Sequence, residues 1–351
     1  MRPSSARSAV RAVIPPARAS TPRQVGLALS QRRAVLASTS QLVTSTTNPS
    51  LSFSRYTHSR ASKSNEIRHG APVELSFDVV QPTTPRTDDQ TLVICHGLFG
   101  SKQNWRSLAK MFASRLGMPI YTLDLRNHGQ SPHAEPHTYS AMAEDIAHFL
   151  DQQGLKSGVN LLGHSMGGKA VMAFALNEKL NKPLRSLISV DMTPAVGKMS
   201  PEFAAYTEAM MEVEKARVKT KHEADKILEK VEPVLATRQF LLTNARTTHG
   251  ADPHLVFRNP LQLLSTSILH IGDFPYKPPP PVTPSSPEWK GPTLFLKGEH
   301  SRYINKHNIP TAKAFFPNMR LEVLDAGHWV HAERPKETVD LVKEFVEGVS
   351  K

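Results

Sequence analysis

Ser165 stands between two glycines in Gly163-His164-Ser165-Met166-Gly167, and a serine flanked in this way is a candidate nucleophile. A serine hydroxyl attacks poorly at neutral pH. It needs a base within hydrogen-bond reach, and the base needs a third group to fix its tautomer and stabilise its imidazolium. His328, in Asp325-Ala326-Gly327-His328-Trp329, is the candidate base. His331 competes with it and reads as a lid-facing or surface residue. His164 precedes the serine, so its ring is expected to point away from the hydroxyl and to serve packing. For the acid, the turn Gly298-Glu299-His300-Ser301 has serine where a Gly-Glu-x-Asp pattern would carry aspartate. Asp191, at the end of the apolar run 184–190, is therefore preferred, with Glu299 as runner-up. Asp325 is too close to His328 in sequence. Acyl chemistry on serine also requires two N–H groups aimed at the oxyanion. Met166 offers one, and Leu98, in His96-Gly97-Leu98, offers the other.

These groups need a strand that turns sharply into a helix. An apolar run at residues 159–162, broken only by Asn160, precedes the serine, and a helix-like stretch at 170–180 follows. Gly163 and Gly167 permit the close approach that such a turn imposes. Further apolar runs at 92–95, 119–123, 293–296 and 321–324 read as strands, and 73–79 alternates like an edge strand or hairpin. Between them, residues 105–116, 139–150, 311–316 and 335–349 carry helical spacing; Trp105, Leu108, Phe112 and Leu116 mark one side of the first. Apolar strands alternating with helices indicate a mostly parallel, doubly wound sheet covered on both faces, with functional groups at the strands' carboxyl ends.

The rhythm breaks at residues 198–288. Charged helical stretches at 201–230 and 234–242, then a Pro-rich exit at 277–287, read as an inserted helical lid. The core is then expected in two parts, 66–197 and 289–351. The loop Asp124-Leu125-Arg126-Asn127-His128-Gly129-Gln130-Ser131 reads as a structural brace beneath the site. No phosphate-loop, dinucleotide or zinc spacing is present in the sequence, so no cofactor and no metal is expected.

Composition bounds the rest. The single cysteine, Cys95, excludes an internal disulfide framework and, lying in an apolar run, reads as buried filler. No apolar run approaches the roughly 18 residues that a membrane span requires. The formal net charge is +12, but residues 1–65 hold nine arginines, one lysine and no carboxylate, so little excess charge is left for the remainder. No nucleic-acid reader motif accompanies those arginines, which argues against a nucleic-acid surface. An Arg- and Ser-rich, acid-free leader is expected to be a mitochondrial transit peptide, with a basic amphipathic helix at 25–36 and cleavage near 55–60. The expected destination is the matrix or the inner-membrane surface.

The ordered set of motifs resembles the α/β-hydrolases. It comprises His96-Gly97-Leu98-Phe99-Gly100-Ser101, residues 124–131, Gly163 to Lys169, Val190-Asp191-Met192-Thr193-Pro194, Arg238-Gln239-Phe240-Leu241-Leu242-Thr243-Asn244 and Gly327-His328-Trp329. The likeness is to the mitochondrial branch with abhydrolase domain-containing protein eleven of animals, small bacterial esterases and fungal ethanol acetyltransferases. It runs from about Val73 to Phe345. The resemblance implies a Ser165–Asp191–His328 triad and ester or thioester chemistry through an acyl-serine, with no prosthetic group. Short-chain ester or thioester hydrolysis is the leading expectation. An alcohol acetyltransferase using acetyl-CoA and an alcohol, or a non-catalytic mitochondrial partner protein, are the alternatives.

Overall fold

The computed structural model describes residues 57–58, 68–197, 200–278 and 287–349. The expected transit peptide, its helix at 25–36 and its cleavage near 55–60 lie outside the described residues, apart from the short strand at Thr57–His58. Most of the Pro-rich lid exit lies outside them too.

The central sheet contains β1 (Thr57–His58), β2 (Phe77–Val80), β3 (Thr91–Cys95), β4 (Ile120–Leu123), β5 (Val159–His164), β6 (Leu184–Val190), β7 (Thr293–Gly298) and β8 (Met319–Leu324). Their order is β1-β2-β4-β3-β5-β6-β7-β8. β1 pairs antiparallel with β2, and β2 antiparallel with β4; the other pairings are parallel. From β3 the chain steps one way to β4 and then crosses back to β5. That reversal opens a crevice at the carboxyl ends of β3 and β5, the position where such sheets bind ligands.

Alternation along the strands builds two cores. Val93, Cys95, Leu161, Leu187 and Phe295 face α2 (Tyr139–Gln152) and α3 (Met166–Leu176). Leu92, Ile94, Leu162, Ile188 and Leu294 face α1 (Arg106–Leu116) and the C-terminal helix Pro335–Gly348. Each fully buried aliphatic contributes about 1.5–3 kcal/mol relative to exposure, so these strands place apolar residues on both faces. Cys95 is a fully buried member of the first core.

Local departures from the sequence reading have identifiable causes. β2 starts at Phe77, not Val73, because the Val73 N–H goes to Asp145 Oδ1 at 2.8 Å and the Ser76 N–H to Ser131 Oγ at 2.8 Å. Side chains take the backbone donors that a longer strand would have paired. The helix expected at 170–180 begins directly after the serine, at Met166, and ends at Leu176. Gly167 and Gly168 weaken helix propensity locally, but this helix is buried along its whole length and needs small residues to pack.

The lid contains α4 (Pro201–Lys215), α5 (Lys221–Leu228), α6 (Leu235–Leu242) and α7 (Leu261–Gly272). The stretch 201–230 is two helices, split where Arg217 takes φ 51° and Thr220 caps α5 through Glu223 N–H at 3.2 Å. A hairpin of Ala245–Thr247 and Leu255–Phe257, and α7 itself, were not expected from periodicity. Downstream come α8 (Ile309–Phe315), α9 (Val330–Glu333) and α10 (Pro335–Gly348). Among the described residues no helix is long and apolar enough to cross a membrane.

Candidate active site

Ser165 sits at the carboxyl end of β5, on the turn into α3, with φ 54° and ψ −116°. A non-glycine residue held there is strained, and surrounding contacts must hold it. Its N–H bonds Val190 O at 3.1 Å. A Cβ at Gly163 would run into the Gly167 carbonyl, and one at Gly167 into the carbonyls of Cys95 and His96. The two glycines are therefore required by close approach of strand, turn and neighbouring loop.

The structure brings Ser165, His328 and Asp191 together. His328 Nε2 lies 3.0 Å from Ser165 Oγ, and its Nδ1 lies 2.7 Å from Asp191 Oδ2. A carboxylate can only accept, so the imidazole proton belongs on Nδ1 and Nε2 is free to accept the serine proton. Asp191 is fully buried at the end of β6, with φ 50°. Its backbone N–H bonds Leu296 O at 2.7 Å, and its Oδ1 accepts the Gly298 N–H at 3.1 Å. Glu299, the runner-up acid, is exposed, and Asp325 pairs with His300 and Arg334 on the surface.

Two histidines read differently from the sequence. His331 is not lid-facing or at the surface: it is buried and stacked on Trp105, with ring centroids 4.1 Å apart and planes 8° apart. Trp105 lies 226 positions earlier, so no local signal announced the contact. His164 is buried as expected, but it does more than pack. It meets His331 at 4.5 Å and His328 at 4.8 Å between centroids, and its Nε2–H donates to His328 O at 3.0 Å. Tyr303 stacks on the other side of His328 at 4.1 Å. Trp105, His331, His164, His328 and Tyr303 thus form a continuous column of rings that fixes the candidate base. Burial holds His331 down to about 3 and His164 well below the usual range, so both are neutral.

The loop after β3 carries Leu98, and Met166 opens α3. Among the described residues neither N–H enters a backbone hydrogen bond of a turn, loop or cap. A helix N-terminus adds partial positive charge at the same point. The loop is held by Gly100 N–H to Gly97 O at 2.9 Å, by Phe99 N–H to His128 Nε2 at 3.2 Å, and by Asn244 of the lid bonding Phe99 O. His96 Nε2 in turn accepts the Leu125 N–H at 3.0 Å. The 124–131 loop thus does act as a brace. Its Asp124 binds the Lys102 ammonium at 3.1 Å, and Arg126 clasps Asp145 at 2.6 and 2.7 Å, all buried. The Phe99–His128 bond was not anticipated from sequence.

Two spaces meet at Ser165. One is a chamber of about 30 Å³ walled by Tyr206, Phe240, Leu241 and Trp329. The other is a cleft of about 970 Å³ walled by Tyr139, Lys169, Met192, Ile271 and Tyr303. They share Leu98, Ser165, Phe203 and His328. Lys169 ties α3 to the end of α7, donating to Gly272 O at 3.1 Å and Asp273 O at 2.9 Å; burial lowers its ammonium to about 8.

Comparison with known proteins agrees with this fold. The chain is 35% identical to the sn-1-specific diacylglycerol lipase ABHD11 of Danio rerio, over 81% of this chain and 86% of that protein. It is 29% identical to ethanol acetyltransferase 1 of Wickerhamomyces anomalus, over 78% of this chain and 74% of that one. Among solved structures, a marine microorganism esterase superposes with a TM-score of 0.68 at 32% identity, covering 78% of this chain and 99% of the esterase. A family model described as the alpha/beta hydrolase fold matches residues 90–335. With the sheet order, the serine at the β5 turn and this match over most of its length, the chain belongs to the α/β-hydrolase family.

Proposed function

We propose that this protein is a serine hydrolase that cleaves short-chain carboxylic esters or thioesters through an acyl-serine intermediate. The observation that carries the reading is the unbroken line from Asp191 through both nitrogens of His328 to Ser165 Oγ. In the first half-reaction His328 Nε2 takes the serine proton as Oγ bonds the carbonyl carbon. The carbonyl oxygen becomes an oxyanion facing the N–H groups of Leu98 and Met166. Collapse expels the alcohol or thiol, which leaves with the proton from His328. Water then repeats the sequence on the acyl-serine, and the acid departs. Asp191 accepts the His328 Nδ1–H throughout and stabilises the imidazolium. Losing one oxyanion donor typically costs about 10²–10³ in turnover, so the loop after β3 matters as much as its neighbours.

Chamber size supports a short acyl group. The chamber of about 30 Å³ is far smaller than the cleft of about 970 Å³, so the acyl group is assigned to the former and the leaving group to the latter. The same cleft favours a second reading, transfer to an alcohol in place of water, which the similarity to a yeast ethanol acetyltransferase also supports. The full chain would be incubated with a short-chain activated ester, with and without ethanol, and acid and ethyl ester both quantified. Acid as the main product, lost in Ser165→Ala, is expected; ethyl ester as the main product would favour the transferase. Equal turnover by Ser165→Ala would overturn the site. Absence of labelling by a fluorophosphonate would favour a non-catalytic partner protein.

The acid-free, Arg-rich residues 1–65 support mitochondrial import as part of the same proposal. Fusing them to a fluorescent reporter tests it, and a diffuse cytosolic signal would sink that part.

A further inference from the structure

The turn after β7 has no role in the mechanism above, yet it touches the acid directly. Ser301 Oγ donates to Asp191 Oδ2, the same oxygen that accepts His328 Nδ1–H. The hydroxyl has one proton. Tyr303 N–H occupies one of its lone pairs at 3.2 Å, and Asp191 offers only lone pairs, so the proton must point at the carboxylate. Two residues along, the Tyr303 ring lies against His328. One short loop thus restrains both acid and base.

We propose that Ser301 is a positioning residue for the reaction: its hydroxyl shares Asp191 Oδ2 with His328 and fixes that oxygen against the imidazole Nδ1. The inference rests on the Ser165–Asp191–His328 reading. A second donor on one carboxylate oxygen draws off charge and fixes its lone pairs. Removing the donor returns that charge to His328. Without it the carboxylate is also free to turn, and the imidazole is held less firmly in line with Ser165 Oγ.

Other groups facing His328 do not confound this. His164 and His331 lie on one side and are held neutral by burial. The Tyr303 phenol lies on the other, raised by burial and by Glu202 and Asp191. Glu202 lines the same cleft from α4. Neither those two histidines nor the phenol changes charge near neutral pH.

A double-mutant cycle across Ser301→Ala and Asp191→Ala, read as kcat, KM and the pH profile of kcat/KM, tests the proposal. Ser301→Ala in the otherwise native chain should lower kcat by on the order of tenfold with little change in KM. It should also move the acidic limb upward by roughly half a pH unit. Ser301→Thr should restore both. In the Asp191→Ala background the second substitution should have no further effect, because its target is gone. An equal loss in both backgrounds, or no change of kcat or profile in the first, overturns the proposal while leaving the triad intact. Full activity of Asp191→Ala alone would overturn the triad reading and this inference with it. Thermal unfolding of each variant separates these losses from misfolding.

Discussion

His96 and His128 face each other beneath the loop after β3, their ring centroids 5.0 Å apart, and each accepts a backbone N–H at Nε2. Each directs Nδ1 at a backbone carbonyl, His96 to Gly97 O at 2.8 Å and His128 to Arg126 O at 2.9 Å. Both rings are therefore neutral with the proton on Nδ1, and protonating either one breaks the bond that shapes the loop carrying Leu98.

That pairing predicts acid lability. Burial lowers His96 to about 4 and His128 to about 3, from 6.5 in an unfolded chain. Between those values the unfolded chain binds more protons, so stability is full above about pH 6.5 and is lost as pH falls toward 4. Each histidine contributes a slope of about 1.4 kcal/mol per pH unit in that window. The buried His137, His164 and His331 add in the same direction. Urea midpoints at pH 7, 6 and 5 should fall steadily, with a shallower slope in His128→Gln. A flat profile would refute the assignment.

The Arg126–Asp145 pair should be indispensable to the fold. Both side chains are buried, and Asp145 also accepts the Val73 N–H. Desolvation outweighs the partner and raises the Asp145 carboxyl. Removing only one member strands the other, at a cost of about 3–5 kcal/mol. Arg126→Ala should lower the urea midpoint accordingly; a drop comparable to a surface pair, under about 1 kcal/mol, would contradict the burial argument.

Gly163→Ala should destabilise by about 1–3 kcal/mol or more, because the added methyl meets the Gly167 backbone rather than a movable side chain. Differential scanning calorimetry would register it. By contrast Gly154→Ala, with open space around its Cβ position but φ 67°, should suffer only the left-handed strain, about 1–2 kcal/mol.

Phe240 walls the small chamber and lies 6.3 Å from Trp329 between ring centroids. Phe240→Ala should enlarge that space and shift the preferred acyl chain of an activated ester series upward by several carbons. An unchanged chain-length preference would move the acyl group to the other side of Ser165.

Much of this arrangement was legible because local chemistry demanded it. The glycines around Ser165 mark close backbone approach, and the apolar run before them marks a strand buried on both faces. Ser301 in place of an aspartate pointed to Asp191, and the fold then places these residues side by side. What stayed hidden depends on distant partners. His331 finds Trp105 across the whole core, and the Phe99–His128 bond joins two loops. The lid hairpin and α7 take their shape from tethers such as Tyr139 OH to Ile271 O at 2.6 Å, which no helical or strand period encodes.

An acyl-serine route imposes an order on product departure, and the two spaces that meet at Ser165 offer each product its own place. With the acyl group in the small chamber, the alcohol leaves first through the cleft while the acyl-serine remains. The vacated cleft then admits the second acceptor. Such an enzyme follows ping-pong kinetics, and its partition between hydrolysis and alcoholysis is set by what next fills one space, not by any change in the reacting residues. A family can thus shift from one reaction to the other by altering cleft walls alone.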